Sequence, residues 1–331
     1  MDLKRIGGLA VSWMSGAVLG LACAAGQAET RKAWPERPVK LVVPYSAGGV
    51  VDVLGRMLAK SLEEDLGVPV VVENLTGAGG TIGAAAVARA QPDGHTLLVG
   101  ATGPISVAKV LFPNLPYDPE RDFRPIAMLG ISPFVVVTNQ STGWTSVQDL
   151  VEASRRKPGT VSYGSAGNGT PQHIIGEMFK QATGASITHI PYRGSIPAIQ
   201  DLIGGQIGLM FDNPVNLVSH IRSGNLVALA QTGSSRLPIL PDVPTVAQAG
   251  APGFDATPWY GLLAPRDVPP GIAQHLNERA NAFLGRPEVV DKLASLGMSV
   301  QRMPLEELAA FLEQEGRKWS AAASAARAPA N

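Results

Sequence analysis

Two short segments carry most of the chemistry this chain can do. The first, Tyr45-Ser46-Ala47-Gly48-Gly49, links an apolar β-branched run to an amphipathic stretch with Asp52 in its first turn. The second, Ser165-Ala166-Gly167-Asn168-Gly169-Thr170, links a similar run to a stretch that opens on Pro171 and carries His173. A strand-to-helix turn leaves backbone N–H groups without intrahelical partners, and the helix dipole favours an anion there. Glycine lets a ligand approach the backbone closely. Ser46, Ala47, Gly48 and Gly49 are therefore read as a carboxylate cradle, each charge-assisted hydrogen bond contributing about 1.5–3 kcal/mol gross. Asp52 is awkward beside an anion. It can orient the turn, accept from a ligand hydroxyl or ammonium, or only complement the helix dipole, worth about 0.3–1 kcal/mol. In the second turn Ser165, Ala166, Gly169 and Thr170 bring hydroxyls and N–H groups together. His173 sits where a lone histidine more often holds structure than ligand. Tyr192 and Arg193 close another strand and can reach the same place, although Arg193 also reads as a solvated surface charge. Asp212 ends a strand at the same sheet edge. Valine at Gly49 or Gly169 is expected to block ligand approach without unfolding the chain.

Other chemistries find little support. The five histidines stand at 95, 173, 189, 220 and 275, with no His-Glu-x-x-His spacing and no Gly-x-Ser-x-Gly elbow. No clustered ligands suggest a metal, and no cofactor is called for. Thr76–Gly83 is glycine-rich after a strand, but a dinucleotide fingerprint needs a glycine where Ile82 stands and an acid at the end of the next strand. A nucleotide-using α/β enzyme is therefore the weaker alternative, and a loop lining a small pocket is the better one. Neutral donors suit binding a stable anion and releasing it intact.

Alternating patterns position these turns. Val39–Tyr45, Val68–Glu73 and His95–Gly100 read as strands, with helices at Val50–Leu66 and Thr81–Ala90. That order predicts a parallel sheet with right-handed crossovers. Leu115–Arg124 is polar and turn-rich. Strands are then expected at Pro133–Thr138, Val161–Gly164, Ile187–Tyr192, Ile207–Phe211 and Leu226–Gln231. Helices are expected at Thr145–Arg156, from Pro171 through Phe179, at Ser195–Ile203 and at Val215–Ser223, so the middle of the chain builds a second sheet. A short helix near Val243–Ala249, a strand at Trp259–Ala264 and helices at Pro269–Leu284, Pro287–Leu296 and Leu305 to about Ala322 complete the reading.

The 331 residues allow about two domains, and 45% hydrophobic against 16% charged residues makes a large core possible. Residues 1–28 read as a secretory signal: Lys4 and Arg5, an apolar run from Leu9 to Ala25, and a small-x-small site at Gly26-Gln27-Ala28. The run is short and weakly hydrophobic for a membrane span, and Gly20-Leu21-Ala22 before Cys23 is a poor lipobox. Cleavage removes the one cysteine, so the mature chain has no disulfide and no thiolate. Its charge stays near neutral, which gives no reason to expect nucleic acid or an anionic membrane as partner.

The ordered motifs resemble the Bug-type receptors of tripartite tricarboxylate transporters. They are Trp34-Pro35-x-Arg37-Pro38, Val42-Val43-Pro44 followed by Gly48-Gly49-x-x-Asp52, Val72-Glu73-Asn74, Gly77-Ala78-Gly79-Gly80-x-x-Gly83 and Pro92-Asp93-Gly94. Tyr117-Asp118-Pro119, Asp122-Phe123, Ser165-Ala166-Gly167-x-Gly169, His173, His189-x-Pro191-Tyr192, Gly204-Gly205-Gln206 and Pro241-Asp242-Val243-Pro244-Thr245 follow in order. The resemblance implies an α/β, two-lobed periplasmic-binding-protein fold (type II-like) with the ligand cleft between lobes. Lobe 1 is then discontinuous, residues 34–131 plus 254–331 with the terminal helices packed on it, and lobe 2 is residues 132–253. Contacts are implied at the loops carrying Tyr45–Asp52, Thr76–Thr81 (hence Gly79 and Thr81), Ser165–Thr170 and Tyr192–Gly194. The implied protein is a monomer that closes on a di- or tricarboxylate, acidic amino acid or aromatic acid and serves membrane transporter subunits, or a sensor. Four positions depart from the pattern: Val51 where Thr is frequent, His95 for Tyr, Leu75-Thr76 for Arg-Pro, and Gln248 for Glu. Val51 removes a hydroxyl from beside the first cradle, which bears on ligand choice.

Overall fold

A computed structural model describes residues 34–327 of the chain. The signal segment 1–28, with Cys23, lies outside the described residues. Among those residues the strands form two five-stranded sheets. The first is built from β1 (Val39–Val43), β2 (Val70–Asn74), β3 (Thr96–Ala101) and β4 (Phe123–Ile131), and from β10 (Trp259–Pro265), which returns late in the chain. The second holds β5 (Val135–Asn139), β6 (Val161–Ser165), β7 (Ile187–Pro191), β8 (Leu209–Asp212) and β9 (Leu226–Gln231).

Both sheets are mixed, where a parallel one was expected. In the first, ordered β2-β1-β3-β10-β4, β1 runs parallel to β2 and β3, whereas β10 is antiparallel to both β3 and β4. In the second, ordered β7-β6-β8-β5-β9, β6 is parallel to β7 and β8, whereas β5 is antiparallel to β8 and β9. The antiparallel strand in each case enters from the other sheet. It arrives without a crossover helix, so the right-handed βαβ rule does not set its direction. Strand β4 had no counterpart in the sequence reading, which ended its turn-rich region at Arg124.

Central strands are buried on both faces, and the period of two is visible in what they touch. Leu41 and Val43 join α1 (Val50–Leu66) through Leu54, Leu58 and Leu62, whereas Val42 faces Ala84 of α2 (Thr81–Ala88), Tyr117 and Phe123. In the second sheet Val136 and Phe211 face Phe179, whereas Val135, Val137 and Met210 face Ala198 and Leu202. A short helix α3 (Ala108–Leu111), after a π-turn at Gly103–Val107, was not anticipated either. Helices α4 (Val147–Arg156), α5 (Pro171–Thr183), α6 (Ser195–Ile203) and α7 (Pro214–Arg222) match the expected pattern, and Ser146 with Asp149 gives α4 a full capping box. Val243–Ala249 forms turns rather than a helix. There Gln231 inside β9 already accepts from the Leu237 N–H and donates to the Leu240 and Val243 carbonyls, tying the loop to the sheet.

Helices α8 (Pro270–Leu284) and α9 (Pro287–Ser295) cover the first sheet. The last, α10 (Leu305–Arg327), is long enough to span about 34 Å. It was expected on the first lobe, and it packs on both. Leu308 sits with Met128 and Trp259, while Trp319 and Ala323 enter the core of the second sheet beside Phe134, Phe179 and Phe254. Trp319 is fully buried and its indole N–H donates to Glu315. No described helix is long and apolar enough to cross a membrane. Trp319→Ala is expected to lower the unfolding free energy by about 3–5 kcal/mol, the cost of emptying a large aromatic site. Urea unfolding of the ligand-free chain checks this, and a change under 1 kcal/mol would show that α10 does not hold the second sheet.

Candidate functional site

A cavity of about 810 Å³ lies between the two sheets. The turns that follow β1, β2, β6, β7 and β8 form its wall, and Ala101 at the end of β3 lines it as well. This is where open α/β sheets bind ligands.

The β1–α1 turn supplies Tyr45, Ser46, Ala47, Gly48 and Gly49, and Val50 and Val51 at the start of α1 line the cavity as well. Asp52 does not line the cavity. It is 3% exposed, and its carboxylate accepts from the Gly48 N–H (2.9 Å), the Arg56 guanidinium (2.9 Å) and the Asn74 amide (2.9 Å). Burial works against its charge, but the bonds from Arg56, Gly48 and Asn74 prevail and hold its pKa below the usual value. The same Asn74 amide donates to the Tyr45 carbonyl. Asp52 is thus the clip that fixes the turn.

The next wall is Thr76–Gly80, where Ala78, Gly79 and Gly80 form a 3-10 turn. Ala78 itself has φ +47°, rare for a residue with a side chain. Thr81 lies behind this wall, its hydroxyl donating to the Ala78 carbonyl at 2.9 Å. Gly80 is small for a visible reason: a Cβ there would stand 3.3 Å from the Tyr45 ring.

From the second lobe, Ala166, Gly167, Asn168 and Thr170 border the cavity, while Ser165, Gly169 and His173 stand outside it. Ser165 is fully buried and its hydroxyl bonds the Gly167 N–H and the His189 ring (2.6 Å). His173 stacks on His189 with centroids 4.1 Å apart, and its Nδ1 accepts from the Gly169 N–H. Burial pushes His189 down to about 3 and lowers His173, so both are neutral at ordinary pH. Gly169 faces Leu111 and Phe112 at φ +78°. Valine there strains the fold itself, contrary to the expectation that it would only block ligand. Gly49, at φ −74° and ψ 168°, has its nearest neighbour 3.5 Å from a Cβ and accepts a side chain without strain.

The two glycine-rich turns meet across the cavity. A Cβ on Gly79 would come within 3.1 Å of the Asn168 carbonyl oxygen. Tyr192, Arg193, Gly194 and Ser195 form the fourth wall, with the Tyr192 hydroxyl turned away to Asp201 at 2.7 Å. Arg193 is exposed at the rim.

Asp212 lines the cavity and is 1% exposed. Oδ1 accepts from the Asn213 N–H (2.6 Å), the Asn216 amide (3.2 Å) and the Gln172 amide (3.5 Å), whereas Oδ2 has no partner. Burial pushes its pKa up to about 6 despite the Ser195 hydroxyl nearby and those three bonds, which favour its charged form. Gln172, Ser195, Asn216 and Tyr260 were not singled out from the sequence. Ser195 follows Gly194 at a helix start and so carried a local signal. Tyr260 carried none, because it arrives on the strand that returns from the far end of the chain. Four helices, α1, α2, α5 and α6, begin at the cavity wall at Gly49, Gly80, Thr170 and Gly194, and none has a side-chain cap. At α2 the preceding turn takes up the first of their N–H groups, the Thr81 N–H donating to the Ala78 carbonyl, whereas no 3-10 turn precedes α1, α5 or α6.

Residues 54–326 match the family described as the tripartite tricarboxylate transporter family receptor. The chain belongs to that family. It is 38% identical over 288 residues to the protein BugT of Bordetella pertussis, covering 87% of this chain and 88% of BugT. An R. palustris protein solved with adipate superposes with a TM-score of 0.84 at 34% identity, covering 88% of this chain and 98% of that one. MatC from Rhodopseudomonas palustris, solved with bound malate, gives 0.81 at 34% identity, covering 87% and 99%. The fold is the two-lobed, type II-like one of periplasmic binding proteins, and the family is one of extracytoplasmic solute-binding receptors.

The raised pKa of Asp212 makes stability depend on pH. The folded group binds its proton more tightly than an unfolded Asp near 3.8, so its stabilising contribution is complete below about pH 4 and is lost as pH rises through about 6. Ligand-free Asp212→Asn is therefore expected to exceed the parent by roughly 2–3 kcal/mol at pH 7.5 and to lose that advantage near pH 4. Denaturant unfolding at both values checks this, and a pH-independent difference would contradict it.

Proposed function

We propose that this chain is a periplasmic receptor that captures a small carboxylate between its lobes by hinge closure and delivers it to the membrane subunits of a tripartite tricarboxylate-type transporter. The observation that carries this reading is the convergence of four helix N-termini without side-chain caps on one cavity. Among the residues lining that cavity Arg193 is the one cation, so N–H groups, amides and hydroxyls do the holding. Neutral donors bind an anion without committing it to chemistry. The chain acts as a receptor and not as an enzyme, a monomer exported by its cleaved N-terminal signal. Adipate and malate in the related proteins are in keeping with a carboxylate ligand.

In this reading the lobes are residues 34–131 with 254–331, and residues 132–253. Closure swings them about the crossings near Ser132 and Pro258, where the Ser132 N–H donates to the Pro258 carbonyl at 3.0 Å. The contact residues are the wall turns: Tyr45–Gly49, Thr76–Gly80, Ala166–Asn168 with Thr170, and Tyr192–Ser195. Asp52, Thr81, Ser165, Gly169 and His173 hold those turns from behind.

A thermal-shift screen of mono-, di-, tri- and aromatic carboxylates on ligand-free protein is expected to find at least one that stabilises it, by about 2.7 kcal/mol at a hundred times its Kd. No stabilisation by any of them would refute the reading. Gly49→Val is expected to keep the parent's unfolding midpoint within a degree or two while weakening the same ligand at least tenfold. Unchanged affinity would remove the α1 N-terminus from the site.

A further inference from the structure

Asp212 does not fit a cavity that only cradles anions. It is an almost fully buried carboxylate in the wall of a site whose other polar groups are mainly donors. Three amides donate to it, all on Oδ1: the Asn213 N–H, Asn216 and Gln172, and the Ser195 hydroxyl lies near enough to favour its charged form. Oδ2 is left with no partner. A buried acceptor without a donor is costly and calls for one. Asp52, the other acid near the ligand turns, has both oxygens engaged by protein donors and is not available.

The geometry points to Asp212 as the residue that selects the ligand: Oδ2 accepts a hydrogen bond from a hydroxyl or ammonium on the bound carboxylate, and the site takes donor-substituted carboxylates over unsubstituted ones. This rests on the carboxylate-receptor reading above. A ligand carboxylate at the helix N-termini satisfies the N–H groups, and a donor elsewhere on the same molecule satisfies Asp212. An unsubstituted diacid that reached Asp212 would set two carboxylates side by side, which is disfavoured. The selectivity takes the form expected of a site built to hydrogen-bond a polar substituent, which rejects the analogue lacking it because its own buried group is then left unpaired.

The test is calorimetry on the intact mature chain, stripped of bound ligand, with dicarboxylates of four to six carbons and with benzoate. Each is measured against its hydroxy- and amino-substituted forms. In the parent protein the hydroxy or amino form of the best-bound skeleton is expected to bind at least tenfold more tightly than the unsubstituted one. Asp212→Asn then separates the two donors. Three protein donors hold the position of Oδ1, so the Asn carbonyl takes it and the amide N–H₂ turns to the cavity. An ammonium ligand loses its partner outright and its preference falls more than tenfold, while a hydroxyl can turn and accept, so its preference falls only a few-fold. Asp212→Leu removes both preferences. The unsubstituted acid, measured in every variant, reports whether the site is still folded. Equal affinity for substituted and unsubstituted acids in the parent overturns the proposal, as does a ratio unchanged by both substitutions. So does uptake of a proton with an unsubstituted diacid in the parent and none in Asp212→Asn, which would make Asp212 a donor to carboxylate. Binding of no carboxylate at all overturns the receptor reading itself, and this proposal with it.

Discussion

The constraint behind the whole site is that a helix begins with N–H groups that the helix cannot satisfy. Where α4 begins, away from the cleft, Ser146 and Asp149 satisfy them within the chain. Where α1, α2, α5 and α6 begin, the adjoining residues are Gly49, Gly80, Thr170 and Gly194. Thr170 could cap, but its hydroxyl donates instead to the Gly167 carbonyl. The groups that would close these helix ends are absent or turned away, and the ends gather at one cavity. A capping side chain in place of each glycine would be expected to add only about a few tenths of a kcal/mol of helix stability. The fold forgoes that at the cleft, and a bound anion can return it.

Turns this short hold their shape only if something behind them is rigid. Asp52 does this for the first turn by binding Gly48, Arg56 and Asn74 together, and Asn74 extends the grip to Tyr45. In the second lobe the stacked neutral rings of His173 and His189 perform the equivalent task through Gly169 and Ser165. The two devices use different chemistry for one mechanical end. Each places a polar group where sequence reasoning sees a ligand contact, one layer behind the wall that a ligand would touch.

That one-layer displacement shows what sequence pattern can and cannot reach. Strand-glycine-helix turns are legible because the apolar run, the glycine and the amphipathic stretch are contiguous, and Tyr45–Gly49, Ala166–Asn168, Thr170 and Tyr192–Arg193 do border the cavity. Orientation within a turn is not legible. Ser165 and Ala166 are neighbours, yet the hydroxyl is buried against His189 and the plain backbone of Ala166 faces the cleft. Nonlocal members are out of reach as well. Tyr260 belongs to a strand that enters the first sheet antiparallel between β3 and β4, and no local spacing joins it to Asn213, although the Asn213 amide donates to its hydroxyl at 3.2 Å. Strand β4 escaped for a similar reason. Its start, Phe123-Arg124-Pro125, reads as loop in isolation and becomes strand because β10 pairs with it.

The Asn213 amide also donates to the Ser132 hydroxyl, which donates to the Gly297 carbonyl, so one buried side chain ties the α7 N-terminus to the first chain crossing and to Tyr260. Asp212 is its immediate neighbour and binds the Asn213 N–H at 2.6 Å. Asp212, which lines the cavity and has a buried, unpartnered oxygen, is therefore one peptide unit from the hydrogen-bond hub between the lobes. An interaction at Oδ2 acts on the strand end that this hub anchors, whereas an interaction at the glycine turns acts on loops braced within their own lobes. In the proposed reading ligand choice and lobe closure meet at Asp212-Asn213, and the two halves of a ligand would act on different parts of the molecule: its anionic end on the turns, and any donor it carries on the seam.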